Sequence, residues 1–154
     1  MMPPIDPTFE PGMKSALACV DDPEMVRAAV EQLTEIGYRV STGISLEDLL
    51  YKMQANIYDV LLIGESVGDT TLATNPIFAE TLKMQSAQRK QQVIILIGPS
   101  FATGDEAQAF QYSVDQVINQ GDLNNLRPLV RRAVARSEEF YGRYIDALEA
   151  ADKA

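Results

Sequence analysis

The chain has 154 residues, of which 46% are apolar and 23% charged, and its formal net charge is -9. This composition predicts one packed domain, with no apolar run long enough to span a bilayer. The lack of histidine excludes Ser-His-Asp and Cys-His nucleophilic pairs, the single cysteine excludes an intramolecular disulfide, and the acidic charge argues against nucleic-acid binding.

A proline-rich segment opens the chain, with four of the eight prolines in residues 1–12. Proline removes backbone donors and favours extended conformations, so residues 1–13 are predicted to be a tail or linker. The charge is also uneven, because residues 1–80 carry 13 acidic and 4 basic side chains while residues 81–154 carry 9 of each. We therefore expect any acidic site in the first half.

Short apolar runs then alternate with helical patterns. The run Ala16–Val20 is typical of a buried strand and ends at two acidic residues. Apolar side chains at three- and four-residue spacing follow, and Gly37 is a plausible helix stop, so a helix is predicted here. These side chains are Met25, Val26, Ala29, Val30, Leu33 and Ile36.

The next two elements are a strand and a capped helix. Tyr38–Ile44 is predicted as the second strand. Ser45 is predicted to cap the following helix, with Asp48 three residues on in a near capping box. Leu46, Leu49, Leu50 and Met53 supply the buried face of that helix.

The continuous apolar runs Asp59–Ile63 and Gln92–Ile97 are typical of strands buried on both faces, as in parallel sheets. A helix over residues 76–90 is predicted between them, with Ile77, Phe78, Leu82 and Met84 facing inward. The remaining predicted elements are a helix from Gly104-Asp105 through Phe110, a strand at Asp115–Ile118 and a helix from about Asn125 to the C-terminus.

This order predicts five β-α units in an open parallel sheet, strand order 2-1-3-4-5, with an extended C-terminal helix and helices on both faces. In such sheets the site lies outside the carboxyl ends of the strands, where the winding direction changes. The residues to inspect are therefore Asp21-Asp22-Pro23 and Gly64-Glu65-Ser66.

The segment CVDDPEMVRAAVEQLTEIGYRV at 19–40 resembles the opening of a bacterial response-regulator receiver domain. The resemblance spans about residues 15–136 and also fits the strands DVLLI and VIILI. It implies a flavodoxin-like α/β fold, a bacterial cytoplasmic signalling protein and contacts with other proteins. The predicted organisation is a tail at 1–13, a receiver-like domain at 14–136 and a helical extension at 137–154.

The resemblance also assigns roles to individual positions. Asp21 and Asp22 match the acid pair that holds Mg²⁺ in receivers. The phosphoacceptor aspartate falls on Gly64, the strand-four hydroxyl on Ile97 or Gly98, and the strand-five lysine on Asn119. The usual strand-five aromatic falls on Gln116, while Tyr112 stands near the face that receivers use for partner contacts.

These departures remove the expected chemistry. Acyl-phosphate formation needs a carboxylate nucleophile, which Gly64 lacks, and Asn119 cannot supply the lysine's positive charge. The chain is therefore interpreted as a pseudo-receiver, a non-enzymatic module for protein binding or dimerisation. Two alternatives remain: an atypical receiver that still accepts a phosphoryl group on Glu65 or Asp21, and a flavodoxin-like small-molecule binder.

The acidic residues have two interpretations each. Asp22 can simply cap the first helix, or Asp21 and Asp22 with nearby Glu65 can bind Mg²⁺ weakly; no other cofactor is expected. Glu65 can be a solvated loop residue. If strand three ended one residue later, Glu65 would instead occupy the acceptor position and imitate a phosphorylated aspartate.

Three further features complete the prediction. Cys19 is expected to be a buried, unreactive thiol. Arg127, Arg131, Arg132 and Arg136 are expected to form a solvated helix face paired with nearby acids. The extension keeps an apolar stripe, which favours a homodimer through the C-terminal helix over an extension that folds back on its own domain or frays. The stripe consists of Phe140, Tyr141, Tyr144, Ile145 and Leu148.

Overall fold

A computed structural model describes residues 13–152, although the side chains of 141–146, 148, 149 and 152 lie outside that description. The predicted tail therefore falls almost entirely outside the described residues. The strands are β1 Lys14–Cys19, β2 Tyr38–Ser41, β3 Val60–Gly64, β4 Val93–Gly98 and β5 Gln116–Asn119. The helices are α1 Pro23–Glu35, α2 Leu46–Ala55, α3 Pro76–Thr81, α4 Ser86–Arg89, α5 Glu106–Gln111 and α6 Leu126–Asp152.

All five strands pair in parallel, in the order β2-β1-β3-β4-β5, which confirms the predicted sheet. Alternate residues of β1, β3 and β4 face two separate apolar clusters, because side chains alternate along a strand. One cluster packs against α1 and α6, and the other against α2, α3 and α5. Helices therefore cover both faces of the sheet. Because both faces are buried, the central strands are apolar at nearly every position.

The prediction of one helix over residues 76–90 is wrong, because this stretch forms the two short helices α3 and α4. In α3 the Thr81 hydroxyl donates to the Phe78 carbonyl at 2.7 Å, and the chain then turns through residues 82–85. Leu82, predicted to face inward, is 59% exposed. The Arg89 guanidinium donates to the Gln92 carbonyl and pairs with Asp115 at 3.0 Å, which holds α4 beside the start of β4.

The second strand is shorter than predicted, since β2 ends at Ser41 rather than at Ile44. The cap of α2 explains this. Ser45 accepts from the Asp48 amide at 3.0 Å, as predicted, while Asp48 accepts from the Ile44 amide at 3.0 Å. Residues 42–45 therefore serve the helix start instead of the sheet.

The C-terminal helix α6 runs unbroken for 27 residues, which confirms the extended helix. It follows a 3-10 segment at Gln120–Asn125, and Pro128 lies in its first turn, where no helical N–H donor is lost. Lys14 at the start of β1 pairs with Glu138 at 2.9 Å, and this hydrogen bond raises the pKa of the Lys14 ammonium. None of the helices within residues 13–152 combines the length and apolar character needed to cross a bilayer.

Candidate functional site

The acidic pair lies just after β1, and each carboxylate accepts a hydrogen bond from a backbone amide. Asp22 is the N-cap of α1 and accepts from the Glu24 amide at 2.9 Å, with Pro23 in the first turn, which confirms the capping interpretation. Asp21 accepts from the amide of Gly68, in the loop after β3. The two side chains therefore begin a helix and hold a neighbouring loop.

The position expected to hold the phosphoacceptor is the last residue of β3, and that residue is Gly64. It is buried, and an added Cβ would lie 3.3 Å from Val20 Cγ1. Its carbonyl accepts from Asn75 Nδ2 at 2.9 Å. The site thus has a closely packed glycine where phosphoryl transfer requires a carboxylate.

Glu65, the next residue, turns towards β4. Its amide donates to the Ile97 carbonyl at 2.8 Å, which continues the β3–β4 pairing by one step. Its carboxylate accepts from the Ser100 amide at 3.0 Å and from the Ser100 hydroxyl at 2.7 Å. The Glu65 carboxylate is therefore bound within the protein, on the loop after β4.

Gly98 makes room for this arrangement. The Glu65 side chain passes directly over Gly98. An added Cβ at residue 98 would lie 2.4 Å from Glu65 Cβ and 2.6 Å from Glu65 Oε1. No side chain larger than hydrogen fits without movement. Ile97, the other position considered for a hydroxyl, is fully buried in the core.

Asn119, at the lysine position, ends β5 and organises the adjoining loops. Its Nδ2 donates to the Phe101 carbonyl at 2.8 Å, and its Oδ1 accepts from the Gly121 amide at 2.8 Å. The backbone N–H of Asn119 donates to the Thr103 hydroxyl at 2.8 Å. The side chain is neutral and its hydrogen bonds hold backbone groups, so it supplies no charge to the strand ends.

Asn75 is an organising residue that the sequence analysis did not identify. It is fully buried, its Oδ1 accepts from the Ile77 amide at 2.9 Å as the cap of α3, and its Nδ2 holds the end of β3. The signal was present, because Asn-Pro is a typical helix start with asparagine at the N-cap and proline at the first helical position.

Metal binding has limited geometric support. Among the residues that the structure describes, no three or more acidic, histidine or cysteine side chains form a group that could hold a metal ion. Asp21 and Asp22 are exposed, whereas the Glu65 carboxylate accepts hydrogen bonds from Ser100. A weak Mg²⁺ site at the acidic pair stays a prediction.

Cys19 is fully buried in β1, as predicted, and burial raises the pKa of its thiol to about 12. The thiolate is the reactive form of cysteine, so this side chain is a core residue at neutral pH. The arginine prediction is confirmed at two positions, because Arg127 pairs with Glu35 and Arg136 pairs with Glu106 at 2.9 Å.

An open groove of about 920 Å³ lies between α5, the start of β5 and the middle of α6. Phe110 and Phe140 line it and are 88% and 66% exposed. Tyr112, which follows α5, contacts Phe78 and Phe101 edge-on, with ring centroids 6.1 and 5.9 Å apart. Gln116, at the aromatic position of β5, is buried and also lines the groove.

The predicted dimer stripe is described only in part. Phe140 is exposed, while the side chains of Tyr141, Tyr144, Ile145 and Leu148 lie outside the described residues.

Comparison with family models and with curated proteins gives no match, whereas solved structures match at low identity. The chemotaxis response regulator CheY4 of Vibrio cholerae is 19% identical with a TM-score of 0.56, covering 79% of this chain and 98% of that chain. A CheY-like receiver domain of Methanospirillum hungatei is 15% identical with a TM-score of 0.62, covering 82% and 98%.

The response regulator TrrA of Thermotoga maritima, solved with Mg²⁺ and BeF, is 20% identical with a TM-score of 0.58, covering 79% and 99%. At this level of identity the similarity shows the fold alone. The chain therefore has the fold of response-regulator receiver domains, and its function has to be argued from its own residues.

Proposed function

We propose that this chain is a receiver-like signalling domain that works by binding proteins, including a second copy of itself, without accepting a phosphoryl group. The observation that carries the proposal is the pair Gly64 and Asn119. Gly64 has no nucleophilic side chain. The side-chain amide of Asn119 donates a hydrogen bond to the Phe101 carbonyl and accepts one from the Gly121 amide.

The remaining carboxylates are poor substitutes for the missing acceptor. Asp22 caps α1, Asp21 holds the Gly68 amide, and both Glu65 oxygens accept from Ser100. An acyl phosphate on one Glu65 oxygen would remove one of its two hydrogen bonds to Ser100 and neutralise the other acceptor, without a lysine to stabilise the equatorial oxygens. These contacts disfavour the alternative of an atypical active receiver.

The surface best suited to a partner is the groove together with the C-terminal part of α6. Phe110 and Phe140 expose large apolar area on one side of the molecule, and burying such a side chain stabilises a complex by roughly 1.5–3 kcal/mol. We assign 14–136 to the receiver-like unit and 137–154 to a dimerising extension, in a bacterial cytoplasmic protein. The net charge of -9 disfavours a nucleic-acid partner.

The first test is phosphorylation. We expect no mass increase by one phosphoryl group after incubation with acetyl phosphate and Mg²⁺, measured by intact-mass spectrometry at neutral pH. A receiver domain that accepts a phosphoryl group from acetyl phosphate, treated in parallel, is the control for donor activity. A stable adduct mapped to Asp21 or Glu65 would overturn the proposal.

The second test is self-association of the full chain by light scattering at about tens of micromolar, a range suited to modest affinity. We expect a dimer that is weakened by Phe110→Gln and Phe140→Gln. Tyr51→Gln is the matched control, because Tyr51 is 66% exposed on α2 and does not line the groove. A monomeric wild-type chain would remove the homodimer from the proposal.

A further inference from the structure

The Glu65 side chain links the end of β3 to the loop after β4, beyond the last backbone hydrogen bond between the two strands. Its carboxylate accepts from both the amide and the hydroxyl of Ser100, at 3.0 and 2.7 Å. Hydrogen bonds to an ionised group are shorter and stronger than neutral ones. Glu65 follows β3 directly and Ser100 lies two residues beyond β4, so the contact fixes the start of the loop at residues 99–105.

The same loop is attached to α5 through Gln108. Gln108 Oε1 accepts from the Ala102 amide at 2.8 Å, and its Nε2 donates to the Ser100 carbonyl at 3.3 Å. Ser100 is therefore held by Glu65 on one side and by Gln108 on the other. A continuous set of hydrogen bonds runs from the end of β3 to the middle of α5.

Helix α5 forms one wall of the groove, through Glu106, Ala109 and Phe110. It has only 6 residues, and a helix this short depends on tertiary contacts for its position. Asp105 caps it, accepting from the Ala107 amide at 2.9 Å, and the Gln108 contacts add a tie to the preceding loop. A change in the loop at 99–105 would therefore change this wall of the groove.

We propose that the Glu65 carboxylate is a permanent latch that fixes the loop at 99–105 and α5, and so keeps the groove in one shape without a chemical signal. The inference rests on the proposed function for its biological meaning, because that proposal makes the groove the partner surface. The latch itself is a property of the free chain and is tested there.

The test is amide hydrogen exchange over residues 99–111 in the full-length chain at low concentration. Glu65→Ala removes both hydrogen bonds, and we expect exchange at Ala102 and through α5 to become about tenfold faster or more. Glu65→Gln keeps an acceptor for the Ser100 amide and a donor for its hydroxyl, so exchange should fall between the wild type and Glu65→Ala. Glu47→Ala, which removes an exposed carboxylate from α2, should leave exchange in this region unchanged.

Gln108→Ala provides a second route, since it cuts the same set of bonds on the α5 side and leaves Glu65 intact. It should loosen α5 without changing the amides of β3, which keeps the test informative if Glu65→Ala does not fold. Wild-type exchange rates in α5 for folded Glu65→Ala, or for Gln108→Ala, would overturn the latch. So would a Glu65→Gln variant that exchanges as fast as Glu65→Ala.

Self-association of the same variants separates the two proposals. Faster exchange in α5 together with weaker dimerisation supports both the latch and the groove as partner surface. Faster exchange with unchanged dimerisation supports the latch and contradicts the groove as partner surface.

Discussion

Gly98→Ala tests the close approach of β3 and β4 in the most direct way. The new Cβ would lie 2.4 Å from Glu65 Cβ, which is 1.0 Å short of ordinary contact at 3.4 Å. Cβ is the first atom of the Glu65 side chain, so rotation of that side chain does not relieve the contact and the loop must move. Overpacking of this kind costs about 1–3 kcal/mol. A loss of about 2 kcal/mol lowers the melting temperature by about 4–8 °C in a domain of this size.

The assay is thermal and urea unfolding followed by circular dichroism, with Gly64→Ala as the matched control. Gly64 ends the neighbouring strand, and its added Cβ would be 3.3 Å from the nearest atom, so the expected cost is below about 1 kcal/mol. Combining Gly98→Ala with Glu65→Gly removes the atom that clashes and should make the alanine nearly neutral. Equal stability of Gly98→Ala and Gly64→Ala would refute the placement of Glu65 over β4.

Three other variants or conditions probe the rest of the site. Asn75→Asp keeps the cap of α3 but turns a buried carboxylate oxygen towards the Gly64 carbonyl. Urea unfolding should therefore show a free energy of unfolding lower by about 2–3 kcal/mol. A decrease of less than about 0.5 kcal/mol would contradict the observed contact. Calorimetric titration should show only weak Mg²⁺ binding that Asp21→Asn diminishes; tight binding unchanged by that substitution would mean the ion binds elsewhere. Cys19 should resist a thiol reagent at neutral pH until urea unfolds the chain, because burial raises the pKa of its thiol to about 12. Rapid labelling of the folded chain would instead show that β1 opens.

The sheet could be predicted from sequence because its central strands carry an unambiguous signal. Runs such as Val60–Gly64 and Val93–Gly98 are apolar at nearly every position, and a strand covered on both faces requires this. The division of residues 76–90 into two helices carried no such signal, since no glycine or proline lies between α3 and α4. Arg89 holds α4 in place through Gln92, Ser113 and Asp115, and two of these partners lie more than 20 residues away in sequence.

The site was predictable as a set of positions but not as a set of contacts. Gly64 and Asn119 were placed at strand ends through the resemblance to receiver domains, and β3 and β5 do end there. The bond from Glu65 to Ser100 spans 35 residues and depends on the absence of a Cβ at Gly98. Neither residue type alone predicts such a contact, because it arises only when two strand ends are brought side by side.

The unbroken run of α6 has a geometric consequence for its far end. At 1.5 Å per residue, a helix of 27 residues is about 40 Å long, and the part after Arg136 extends about 24 Å. A rigid rod of that length amplifies small movements at its base, so a tilt of about 10° displaces its tip by about 4 Å. Arg127 and Arg136 tie its first half to α1 and α5 through Glu35 and Glu106. A shift in either helix would therefore swing the far end of the rod, and anything bound there would be moved by several ångströms.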